Sequence, residues 1–155
     1  MLPRPAREGP ARRVVDAMDQ KHEMLSKVPL FAGLGPRDLA KVGRLEDEVI
    51  VKAGKVLAKE GAAAEEFFVI LEGTVRISRG GRTLRDLGPG EFFGELAMLG
   101  KVPRTATATA LTSAHLLVVG HREFITLLAE YPTIQAKIIR SIAAWIADLS
   151  PDRLN

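Results

Sequence analysis

The chain has 155 residues, 46% hydrophobic, 26% charged and 5% aromatic, with no cysteine. That size fits one domain with short extensions, and the missing thiols exclude a disulfide scaffold, a thiol nucleophile, thiolate zinc sites and cysteine-held iron–sulfur clusters. The net charge of +3 comes from Arg4, Arg7, Arg12 and Arg13 against Glu8; the rest is balanced, unlike a nucleic-acid-binding face.

Residues 1–13, rich in Pro, Arg and Gly, read as a flexible basic tail. Residues 14–45 read as a helical segment. Val14, Val15, Met18, His22 and Leu25 recur at helical steps, which predicts an amphipathic helix stopped before Pro29. Pro36-Arg37-Asp38-Leu39 opens a second, short one. No apolar run nears the roughly 18 residues that span a bilayer, and the N-terminus lacks the apolar stretch of a signal peptide. A cytoplasmic chain with no membrane span is expected.

Over 46–120 the texture changes. Short runs at Glu48–Val51, Val56–Lys59, Phe67–Leu71, Val75–Ser78, Thr83–Leu87, Ala106–Leu111 and His115–Val119 are cut by glycines and prolines. Seven or eight short strands at this spacing predict an antiparallel sandwich or barrel. Over 121–150 the period turns helical again. Phe124, Leu127 and Leu128 share one face, and a last helix is expected from about Ile134 to Leu149. Its residues Ile138, Ile142, Trp145 and Leu149 are spaced as in a coiled-coil seam, so a homodimer through this helix is one expectation. The predicted fold is mainly β: a jelly-roll-like barrel with N-terminal helices and two C-terminal helices.

One stretch, Gly88 to Thr107, interrupts the strand pattern. A glycine-led turn enters a helix of barely one turn, Glu95–Leu99. Its first N–H groups lack intrahelical partners and lie at the positive end of the helix dipole. A loop returns to Arg104, whose planar fork suits two phosphate oxygens, and to Thr105. Glu95 shares the place. Beside a phosphate it needs a donor to face, and a ribose hydroxyl is a natural one. An anion site with an acceptor close by describes a compact nucleotide.

Phe93-Gly94-Glu95-Leu96-Ala97, six residues ending in Pro103, then Arg104-Thr105-Ala106 resembles the phosphate-binding cassette of the cyclic-nucleotide-binding domain family. Val28-Pro29-Leu30-Phe31, Phe67 to Gly73 and Leu87 to Phe92 agree with that family in order. The resemblance spans about residues 25 to 149, with the cassette at 93–107. It implies a β-roll fold and a role for each residue. Gly94 lets the backbone approach sugar and phosphate, Glu95 accepts from the ribose 2′-hydroxyl, the N–H groups of Leu96, Ala97 and Thr105 hold phosphate oxygens, and Arg104 neutralises the phosphate. Ala106 closes the motif. Val75, Ile77, Leu84 and Leu87 fall where the family lines the base pocket, and Arg85 flanks it; plain barrel core is an equal reading for the four apolar residues. Ile138, Ile142 or Trp145 would cap the base as a lid.

The resemblance implies a non-enzymatic sensor of a 3′,5′-cyclic nucleotide, with cAMP favoured and cGMP open, because Thr105 beside Arg104 resembles cGMP-preferring members. It needs no cofactor or metal. Signalling passes through the C-terminal helices to a protein effector that the sequence does not name. The six residues after Leu149 leave no room for a DNA-binding element, so a stand-alone sensor is expected. Two alternatives remain: a ligand-free interaction module of the same fold, and the sensor part of a transcription regulator.

Other motifs carry less. Gly88-x-Gly90-x-x-x-Gly94 departs from the dinucleotide fingerprint by one residue. Arg79-Gly80-Gly81-Arg82 reads as a hairpin turn. His22, His115 and His121 lack metal-ligand spacing, and Ser113 with His115 lacks a nucleophile elbow.

Overall fold

Among the described strands, only β3 (Glu66–Glu72) and β8 (Ala114–Gly120) bury apolar side chains on both faces, and these two strands organise the molecule. The computed structural model describes residues 23–149; the basic tail and most of the predicted first helix lie outside them. A helical turn over 23–26 and a 3-10 turn at Pro29–Phe31 lead to α1 (Pro36–Arg44). β1 (Asp47–Val51) and β2 (Val56–Ala58) come before β3. β4 (Val75–Arg79), β5 (Arg82–Leu87) and β6 (Phe92–Phe93) follow it. Then come α2 (Glu95–Gly100), β7 (Thr107–Ala110), β8, α3 (His121–Glu130) and α4 (Pro132–Leu149).

The strands form two four-stranded sheets, β1-β8-β3-β6 and β2-β7-β4-β5, antiparallel throughout. This is the expected β-roll with flanking helices. The eighth strand, Phe92–Phe93, is too short for any period to show. The last helix begins at Pro132 rather than near Ile134, because proline suits the first helical position, where no N–H is needed.

The alternation of β3 divides the interior. Phe67 and Val69 point into a cluster with the helices, which includes Leu25, Phe31, Phe124, Leu127 and Ile138. Phe68 and Ile70 point into the roll, with Val75, Leu87, Phe93 and Leu116. Residues i and i+2 share a sheet face, so one strand serves both cores. At the end of β3, Gly73 has φ +93°, and a Cβ there would lie 2.4 Å from the carbonyl oxygen of Ser113. Only glycine lets the β3–β4 turn pass so close to the β7–β8 turn.

Candidate functional site

β6 delivers the chain to Gly94, which has φ +98° and serves as N-cap of α2. A Cβ at Gly94 would stand 2.9 Å from Nη1 of Arg104 and 3.1 Å from the carbonyl oxygen of Glu66. The position therefore needs glycine twice, for its conformation and for the space the guanidinium occupies. α2 then places Glu95 and Leu96 on a cavity between the roll and α4.

Arg104 is fixed from three sides. Its N–H donates to the Ala62 carbonyl at 2.9 Å, and its own carbonyl accepts from the Gly61 N–H at 2.8 Å. Nη2 donates to the Glu66 carbonyl at 2.7 Å. The guanidinium lies 5.8 Å from the Phe68 ring centroid, and Phe68 stacks on Phe93 at 4.8 Å with the rings 12° apart. The residue is 8% exposed, and burial lowers its pKa. Yet Nη1 is buried without a hydrogen-bond partner. So is Oε2 of Glu95. Burial pushes the Glu95 carboxyl up to about 7, against the opposing pull of its backbone hydrogen bond and of the Arg85 charge. Buried polar atoms are normally paired. Here an acceptor and a donor are held unpaired on the walls of one cavity, an arrangement that suits a ligand bringing both an anion and a hydroxyl.

The cavity brings together Gly94, Glu95, Leu96, Ala97, Arg104, Thr105 and Ala106 with Ile77, Arg85 and Leu87 from the β4–β5 hairpin. α4 contributes Ile142 and Trp145. Three expected residues stand elsewhere. Val75 is fully buried in the roll. Leu84 falls at a β-bulge: β4 and β5 pair Ile77 with Arg85 and Ser78 with Thr83, so Leu84 opposes no partner; it packs half-buried against the roll core and does not line the cavity. Ile138 is fully buried in the helical cluster and does not line the cavity. Of the residues of the expected dimer seam, Ile138 is core and Ile142 and Trp145 line the cavity; the Leu149 side chain lies outside the described residues.

Five wall residues were not anticipated: Ala58, Phe92, Phe93, Ala108 and Ser141. Of these, Ala108 had a visible signal. β7 reads Thr-Ala-Thr-Ala with the alanines inward, and a small residue on the inner face of a roll leaves space that a Val or Ile would fill. Among the described residues there is no cluster suited to a metal and no helix long and apolar enough to cross a membrane.

The model of the cyclic nucleotide-binding domain matches residues 48–131. The chain is 36% identical over 121 residues to a cyclic nucleotide-gated potassium channel of Mesorhizobium japonicum, covering 78% of this chain and 33% of the channel. It is 31% identical over 134 residues to the cyclic AMP receptor protein of Thermus thermophilus, covering 82% of this chain and 62% of that protein. Among solved structures, the Thermus thermophilus catabolite activator protein superposes with a TM-score of 0.72 at 31% identity, covering 81% of this chain and 62% of that one. A cAMP-bound PfPKA-R superposes with a TM-score of 0.80 at 24% identity, over 88% of this chain and 48% of that one, a likeness of fold.

A β-roll whose short helix and returning arginine wall a cavity defines a class of small-ligand receptor domains. The chain belongs to the cyclic nucleotide-binding domain family. It spans a third of the channel relative's length and under two thirds of the receptor's.

Proposed function

We propose that the cavity binds a 3′,5′-cyclic nucleotide, cAMP in preference to cGMP, and that the chain is a sensor rather than an enzyme. The observation that carries this reading is the pair of buried, unpartnered atoms, Oε2 of Glu95 and Nη1 of Arg104, on the same cavity. The Arg104 fork takes the phosphate, and the Glu95 oxygen accepts from the ribose 2′-hydroxyl. The N–H groups of Leu96, Ala97 and Thr105 complete the phosphate site. The base lies against Ile77, Leu87 and Ala108, and Ile142 and Trp145 close over it from α4. The names of two similar proteins, a cyclic AMP receptor protein and a cAMP-bound PfPKA-R, support cAMP as the ligand.

The output is a change in how α3 and α4 pack, read by a protein effector. A ligand drives such a change only through its different affinity for the two states. Trp145 is the sole tryptophan of the chain, so its emission reports on α4 directly.

Calorimetric titration with cAMP and with cGMP tests the reading. Wild type is expected to bind cAMP more tightly. Arg104→Ala leaves the phosphate without its charged partner and is expected to weaken binding by about 2–5 kcal/mol, roughly 30-fold to several thousand-fold. If Arg104→Ala binds cAMP as wild type does, the proposed phosphate site is wrong.

A further inference from the structure

His121 is the first residue of α3, and the cavity does not use it. Its main-chain N–H donates to the Glu65 carbonyl at 3.0 Å, which pins the start of α3 to the entry of β3. Its ring reaches the other way: Nε2 lies 3.1 Å from the carbonyl oxygen of Met98, in α2. A carbonyl only accepts, so Nε2 carries the proton. The last carbonyls of a helix have no partner within it. α2 has only six residues and ends at Lys101 in the left-handed conformation, so this carbonyl depends on a group from outside.

α2 meets the helices by two kinds of contact. The Met98 side chain is fully buried in the cluster holding Phe124 and Leu127. That contact is apolar and without direction, and thioether side chains adapt to shifted neighbours. The His121 bond has a direction and a length. Among the described residues, no other side-chain hydrogen bond joins α2 to α3. The remaining side-chain bonds of the helical region run from Ser26 to the Glu23 carbonyl, from Thr126 to the Arg122 carbonyl, from Gln135 to the Leu128 carbonyl, from Lys137 to the Pro29 carbonyl and from Tyr131 to Asp38. None of them touches α2.

We propose that His121 is the positioning residue that couples α2 to α3, so that a shift of the cassette helix is passed to the hinge helix through the Nε2–H···Met98 hydrogen bond. The proposal rests on the cyclic-nucleotide reading for the ligand that moves α2. A movement that only slid Met98 within its apolar surroundings would leave α3 in place. One that carries the Met98 carbonyl with it takes the imidazole, and with it the first turn of α3.

Three variants test this by amide hydrogen exchange, with calorimetry for affinity. His121→Phe and His121→Ala remove the donor, one keeping bulk and one not, so either carries the test if the other fails to fold. His121→Gln restores an N–H donor. In wild type, cAMP is expected to change exchange of the α3 amides by tenfold or more. In the donor-less variants cAMP affinity is expected to change by about fivefold or less, the worth of one ordinary hydrogen bond. The α3 response is expected to be lost in them and to return in His121→Gln. A donor-less variant whose α3 amides respond to cAMP as in wild type overturns the proposal.

Without ligand, α2 amides are expected to exchange faster in His121→Phe than in wild type and His121→Gln; equal rates in all three also overturn it. Absence of any cAMP binding by wild type sinks the cyclic-nucleotide reading instead, and the ligand-free comparison still judges His121.

Discussion

The two cores of this molecule share β3 and β8 and differ in what they are built for. The helical core is filled by large side chains such as Phe31, Phe67, Phe124 and Ile138, and beside it Lys137 donates to the Pro29 carbonyl at 2.6 Å. The roll core keeps alanines at 58, 108, 110 and 114. It opens on a cavity and carries a carboxyl oxygen and a guanidinium nitrogen without partners. Burial without pairing costs stability. The chain takes most of its apolar stabilisation on one side of β3 and tolerates that cost on the other.

The largest effect is therefore expected on the helical side. Phe67 is 1% exposed and packs 4.7 Å from Phe124 and 5.6 Å from Phe92, centroid to centroid. Phe67→Ala should lower stability by about 3–5 kcal/mol, read from urea denaturation. A loss under about 1 kcal/mol would remove the contrast between the cores.

Next comes the cost held in the cavity. The Glu95 carboxyl titrates near 7 in the folded chain against an ordinary 4.5. The folded state thus holds the proton more strongly than the unfolded state, so the contribution is present in full below about pH 4.5 and is lost as pH rises through 7. The difference between those limits is at most about 3 kcal/mol. Glu95→Gln should abolish that part of the pH dependence. It should match wild type near pH 4, exceed it near pH 8 and bind cAMP less well. Parallel stability profiles for the two proteins from pH 4 to 8 would show that the carboxyl is ordinary.

How much of this was legible follows from which forces are local. Seven strands could be read because Gly54, Gly61, Gly73 and the Gly80-Gly81 pair punctuate them, and turn chemistry acts over a few residues. Phe92–Phe93 has no period to read, and it is a strand only because β3 lies opposite. Glu95 and Arg104 were legible as a pair through the cassette spacing. Their unpaired atoms were not, since those depend on the Glu66 carbonyl thirty-eight residues from Arg104 taking only one of the two guanidinium nitrogens. The α4 stripe shows the limit well. Ile138, Ile142 and Trp145 do share a side of the helix, but that side crosses from the helical core to the cavity within two turns. Helical period fixes a shared face and says nothing about what faces it.

Gly94→Ala tests the border of the cavity from the backbone. A φ of +98° strains any side-chain-bearing residue, and the added methyl would stand 2.9 Å from Nη1 of Arg104. A stability loss of about 1–3 kcal/mol is expected, together with weaker cAMP binding as the guanidinium is displaced. Unchanged cAMP affinity would show that the Arg104 position is not set by this contact.

The smallest effect concerns the other end of α2. Lys101 is the one residue besides glycine with a positive φ among those described, at +50°, and it caps α2 at its C-terminus. The left-handed conformation costs an L side chain about 1–2 kcal/mol, and glycine is the usual residue there. Lys101→Gly relieves that cost but gives the unfolded chain extra freedom worth about 0.5–1 kcal/mol. The net expected gain is about 0.5–1 kcal/mol in urea denaturation. Since the strain lies at the end of α2, relieving it should also make the α2 amides exchange more slowly while the α4 amides keep their rates. A loss of stability on this substitution would mean that the Lys101 side chain contributes more than its backbone strain costs, and that the cassette helix is held at its far end by contact rather than left strained.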